Sequence, residues 1–147
     1  MATTLRTYVT VKAPAEQVWK ILMDPGKLPG WLTGFISIQH LSGEPGKAGS
    51  KSKMVFLQRG KKMEVQEEVV KVNPHREYIF KIVHPSMFTY NSIGLSVNGG
   101  ETSLEQVSEL HPQNFLVKLV MPFMKNNLRK VMQHDLNKLK NIIENNL

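Results

Sequence analysis

Hydrophobic and polar positions alternate with a period of two through most of this chain, then switch to helical spacing at its end. Residues 4–12 place Leu5, Thr7, Val9 and Val11 on one side, which predicts a first strand. Ala13-Pro14-Ala15-Glu16 then opens a helix, because proline suits a first helical turn and a carboxylate favours the positive end of the helix. Val18, Trp19, Ile21 and Leu22 form its apolar face, and Asp24-Pro25-Gly26 ends it. A short second helix over 27–33 holds Pro29, Gly30 and Trp31. Strands are predicted at 35–41, 50–58, 63–72, 77–84, 87–97 and 102–110, divided by turn signals such as Asn73-Pro74-His75 and Asn98-Gly99-Gly100. From 115 to 147 the pattern is one helix, with a stripe of Met124, Leu128, Val131, Met132, Leu136, Leu139, Ile142 and Ile143. Pro122 removes one backbone hydrogen bond there and predicts a kink. The stripe has to be buried, and the β-rich middle of the chain is the partner on offer. A twisted antiparallel sheet around one long helix encloses space that is either filled by side chains or kept for a ligand.

Composition narrows the classes. The 147 residues form one expected domain, 1–147, and a chain of that size buries enough surface for a core without staples. Cysteine is absent, which excludes disulfides, thiolate nucleophiles and Cys-based zinc sites. The start of the chain lacks the apolar run of a signal peptide, and no stretch approaches the roughly 18 apolar residues of a membrane span. The expected location is therefore the cytoplasm. The net charge of +7 raises nucleic acid or an anionic membrane as partners. The lysines are scattered, however, and aromatic residues are not interleaved with them as stacking platforms, so nucleic acid is not expected. A weak contact with an anionic membrane stays open, as does the choice between monomer and homodimer.

The element order, with particular residues at particular places, resembles the START-like (SRPBCC) superfamily, in its polyketide cyclase/dehydrase-like branch. The resemblance is carried by Ala13-Pro14-Ala15-Glu16-Gln17-Val18-Trp19, by Asp24-Pro25 and by Pro29-Gly30-Trp31. The loop from Leu41 to Ser50, Gly99-Gly100-Glu101-Thr102, Pro122 and Leu136-Asn137-Lys138-Leu139-Lys140 add to it. It covers essentially the whole chain, and its specificity lies in the joint order of motifs that are each structural punctuation. It implies an α+β helix-grip fold of the START/Bet v 1-like kind: a curved seven-stranded antiparallel sheet around a long C-terminal helix, with two short helices between the first two strands. It also implies an apolar cavity for lipids, polyketides or quinone-like compounds, with catalysis in a minority of members. The expected partner is thus a small hydrophobic molecule, with no cofactor. The competing readings are a cyclase or dehydratase acting on a polyketide-like substrate, and an interaction protein using its basic surface.

Single residues sharpen these readings. The Gly43–Lys51 segment has the look of a phosphate loop but reverses the required Gly-Lys-Ser order, so it is read as a strand connection that turns or acts as a lid. No two of the five histidines sit at i, i+4 on a helix and no carboxylates cluster with them, so no metal site is expected. Asp135 falls in the middle of the C-terminal stripe, where a carboxylate either faces the cavity as an acid or base or pairs at the rim with a cation or water. His84 continues the alternation of Tyr78, Phe80 and Ile82, and is the second catalytic candidate. The expected ligand-binding set is Trp31, Phe56, Phe88, Tyr90, Met121, Phe123, Met124 and Met132. Methionine suits an adaptable wall, and the resemblance implies that the Pro122 kink lies at the cavity mouth. The sheet face that points inward is not set by one sequence, since a slip of one residue exchanges every side chain.

Overall fold

The computed structural model describes residues 3–146. Seven antiparallel strands form one open sheet: β1 (Thr3–Val11), β2 (Phe35–Ser42), β3 (Lys51–Gln58), β4 (Lys61–Asn73), β5 (Glu77–His84), β6 (Met87–Asn98) and β7 (Glu101–Pro112). Their order is β1-β7-β6-β5-β4-β3-β2, so β2 to β7 are a meander and β1 closes onto its far end. Helices α1 (Ala15–Leu22) and α2 (Leu28–Trp31), with a 3-10 turn at Pro25–Lys27 between them, carry the chain from one sheet edge to the other. Helix α3 (Phe115–Asn145) lies across the concave side. The expected seven-stranded helix-grip architecture is therefore present.

Local chemistry explains the element boundaries. The Asn114 carboxamide accepts from the Val117 N–H at 2.9 Å and caps α3, and Asp24 does the same for the 3-10 turn through the Gly26 N–H. α3 runs unbroken through Pro122, and Leu147 of the expected helix lies outside the described residues. β7 extends past the expected end at Leu110: Pro112 and His111 still pair with Met87 and Phe88. Proline is admissible at the end of a strand, where its missing donor breaks little of the ladder.

Two clusters hold the layers together. The larger joins Val9, Val11, Val18, Leu104, Leu136 and Leu139 with their neighbours, where the C-terminal half of α3 packs on β1, β7 and α1. A satellite joins Leu5, Leu110 and Met121, under the N-terminal half of α3. Gly30 lets α2 approach α3 closely, since a Cβ there would stand 2.9 Å from the Ile142 Cδ1. Gly34 has a φ of +76°, and a Cβ would stand 2.5 Å from the Leu57 carbonyl oxygen; this tight passage delivers the chain into β2.

One turn of α3 touches both ends of the sheet. The Gln133 carboxamide donates to the Tyr8 carbonyl at 2.9 Å and accepts from the Tyr8 N–H at 3.3 Å, on edge strand β1. Two residues on, Asp135 accepts from the backbone N–H of Thr33 at 3.2 Å and from its hydroxyl. Thr33 stands just before β2, the opposite edge strand.

Candidate functional site

Between the sheet and the helices lies a cavity of about 500 Å³. That falls in the range of about 300–1,000 Å³ typical of small-molecule sites. Its wall follows from strand alternation. Ser52, Met54 and Phe56 point inward from β3, Glu67 and Val69 from β4, and Tyr78, Phe80 and Ile82 from β5. Thr89, Asn91 and Ile93 follow from β6, and Gln106 from β7. The cross-strand pairs Ser52 with Glu67, Glu67 with Ile82, and Ile82 with Thr89 put these residues on one face. Leu22, Leu28 and Trp31 cover the cavity from α1 and α2, and Met132 and Asp135 from α3. Pro45 and Gly46, in the β2–β3 loop, reach its rim.

Three sets of its polar groups bear on its chemistry. First, the Tyr78 hydroxyl donates to Glu67 Oε2 at 3.2 Å. Burial raises the Glu67 carboxyl above the usual carboxylate range, against the lowering effect of the Tyr78 hydrogen bond. Burial also pushes the Tyr78 phenol up, and the adjacent Glu67 charge and hydrogen bond push it further. Second, Asn91 donates to the Thr89 hydroxyl at 2.8 Å and accepts from the Ser108 hydroxyl at 2.7 Å, which satisfies a buried amide on the sheet floor. Third, the Trp31 indole N–H is buried without an acceptor, and Trp31 itself is only 5% exposed. A buried donor without a partner costs about 1–3 kcal/mol, and the Trp31 nitrogen is covered by its neighbours and does not open onto the cavity. The lining holds three carboxylic acids, Asp24, Glu67 and Asp135, and no lysine or arginine. Among the described residues, no three histidines or carboxylates are grouped to hold a metal ion.

The structure separates the expected binding residues. Trp31, Phe56 and Met132 line the cavity. Phe88 and Tyr90 do not, because β6 turns Thr89 and Asn91 inward instead; Phe88 stacks on His111 on the outer face, 4.4 Å between centroids, with Lys81 above it. Met121 is buried in the satellite cluster. Met124 is half-buried away from the cavity, and Phe123 is 86% exposed. The helix lines the cavity about three turns beyond Pro122, at Met132 and Asp135, so the expected placement of Met121, Phe123 and Met124 at its mouth is corrected.

Of the two catalytic candidates, Asp135 reaches the cavity wall but is engaged by Thr33, with Lys138 Nζ 3.6 Å away. His84 lies outside it and accepts from the Ser86 N–H at 3.1 Å in the β5–β6 turn. Glu67 and Tyr78 were not among the expected residues. Their signal was available: Glu67 interrupts the inward face of Val65 and Val69, at a position where period-two alternation demands an apolar side chain.

The sequence profile of the family described as polyketide cyclase/dehydrase and lipid transport matches residues 2–144. The chain belongs to this family. Solved structures with the same fold bracket this member. The Zhui aromatase/cyclase from Streptomyces sp. R1128 is 14% identical, with a TM-score of 0.82 and coverage of 98% of this chain and 94% of that one. Protein CV1439 from Chromobacterium violaceum is 22% identical, with a TM-score of 0.77 over 96% of each chain. Ara h 8.0201 is 16% identical, with a TM-score of 0.74 over 97% of this chain and 98% of that one. At such identities the likeness is one of fold. No curated protein matches the sequence significantly.

Proposed function

We propose that this family member binds and carries a small hydrophobic molecule in the cavity between sheet and α3. The observation that carries the reading is a void of about 500 Å³ whose wall is apolar and aromatic, with few polar groups at defined places. Trp31, Phe56, Phe80 and Met132 supply contact area, and Glu67 and Tyr78 orient the polar end of the ligand. A family described by lipid transport supports it.

The test is native mass spectrometry of freshly purified protein, with identification of any released compound, followed by Nile red titration. Ser52→Phe and Thr89→Phe each add bulk to the empty space. The expected result is a bound apolar mass or dye signal that both folded variants lose. Binding that survives in both would overturn the cavity assignment.

A second reading is supported by one pair of residues. Glu67, a buried carboxyl with a raised pKa inside the cavity, has the character of a general acid that stays protonated nearer neutral pH, and Tyr78 holds it in place. This favours the cyclase- or dehydratase-type alternative over one built on His84. A polyketide-like carbonyl substrate turned over by the wild type and not by Glu67→Gln would establish it; equal turnover by the two would sink it.

A further inference from the structure

The first half of α3 presents an apolar stripe to solvent. Phe115, Leu119 and Phe123 recur every fourth residue, with Leu116 and Val120 beside them. Phe115 is 78% and Phe123 86% exposed, and Leu116 and Leu119 are also mostly exposed. The opposite side of the same turns, Val117, Met121 and Leu128, packs into the satellite cluster, so the stripe is not a missing part of the core. At ~100° per residue the two arcs lie on opposite sides of the helix. A contiguous exposed apolar stripe marks an interaction face.

The charge around the stripe identifies its partner. Lys118, Lys125, Arg129 and Lys130 are exposed and belong to none of the ion pairs among the described residues. No aspartate or glutamate occurs between Glu109 and Asp135. A second copy docking its own stripe about a two-fold axis would bring these cations against identical cations with no acid to pair them. A surface that is apolar below and anionic above meets both demands. We propose that the first half of α3 is a docking face for an anionic lipid bilayer, with Phe115, Leu119 and Phe123 entering the interfacial layer and the four cations meeting the headgroups. A helix with this division of faces lies in the plane of a membrane interface rather than crossing it. Among the described residues no helix is long and apolar enough to span a bilayer. This face is separate from the cavity, so its failure leaves the ligand-binding reading untouched.

The test is flotation of the full chain with vesicles of phosphatidylcholine alone and of phosphatidylcholine mixed equally with phosphatidylglycerol. Wild type is expected to float with the mixed vesicles only. Phe115→Ser with Phe123→Ser is expected to weaken partitioning roughly tenfold or more, and Lys118→Gln with Lys125→Gln to weaken it roughly fivefold per lysine. Unchanged urea midpoints check that both exposed pairs leave the fold intact. The proposal is overturned if wild type ignores lipid charge, floats with neither vesicle, or binds equally well without the two phenylalanines. It is also overturned if wild type is a dimer in light scattering that Phe115→Ser with Phe123→Ser makes monomeric, for the occupant is then a second copy.

Discussion

Replacing Asp135 with alanine separates a structural acid from a spare one. Asp135 is 9% exposed and accepts two hydrogen bonds from Thr33, through the backbone N–H and the hydroxyl. Hydrogen bonds to a charged group contribute about 1.5–3 kcal/mol each, at the low end here because Thr33 is itself exposed and water replaces the carboxylate. Lys138, 3.6 Å away and a third exposed, adds at most ~1 kcal/mol. Asp135→Ala should therefore cost about 3 kcal/mol, while Asp135→Asn, which keeps an acceptor for both Thr33 donors, should cost under ~1 kcal/mol. With a urea slope of about 1–3 kcal/mol per molar, the alanine midpoint falls by roughly 1–3 M and the asparagine midpoint by much less. Urea unfolding followed by circular dichroism reads both. An alanine variant as stable as wild type, or more stable, would refute the reasoning: it would mean that the carboxylate strains the fold and is kept for chemistry.

Three further outcomes follow from other parts of the structure. Glu67 has a raised folded pKa, so the native state holds its proton above pH 4.5, where the unfolded chain has lost it; stability then falls as pH rises from that value through the folded pKa, and Glu67→Gln should remove this decline in urea midpoints measured across the pH range. Gly30→Ala brings a methyl group against the Ile142 Cδ1 and should cost about 1 kcal/mol; in a double-mutant cycle Ile142→Val, which deletes that carbon, should recover most of it, whereas strict additivity would deny the contact. Met121→Ala should lower stability by about 2–3 kcal/mol while leaving Nile red affinity unchanged, since Met121 sits in the satellite cluster and not on the cavity wall.

The elements were legible because their signals are local. Alternation, turn residues and helical spacing each act within a few residues, and together they marked all seven strands and α3. The inward face was not, because on β6 hydropathy inverts. Phe88 finds apolar cover outside, against His111 and Lys81, while Thr89 and Asn91 are inside and satisfied by each other and by Ser108. Those partners lie on other strands or become visible only once register is known. Grouping Met121, Phe123 and Met124 at one mouth failed on helical geometry. Residues two apart on a helix point to nearly opposite sides, and Met121 is indeed buried where Phe123 is bare. Glu67 was legible in principle, as a polar residue between two inward valines; its partner Tyr78 lies on the next strand and is set beside it by register.

The two side chains of α3 that reach the sheet edges change what kind of object the cavity wall is. Seven strands in this order make a ribbon with two free margins, and a ribbon can uncurl. Gln133 and Asp135, about 200° apart around the helix, fasten one margin each. In cross-section the result is a hoop: sheet, Tyr8, one helical turn, Thr33, and back to sheet. A hoop has a set circumference. On the proposed function, guests of different size would be accommodated along its axis, at the rim where Pro45 and Gly46 stand, rather than by widening its girth. The same turn also occupies the Tyr8 N–H and carbonyl that β1 would otherwise offer to a passing strand, so the fastening that shapes the cavity also keeps this margin of the ribbon from growing.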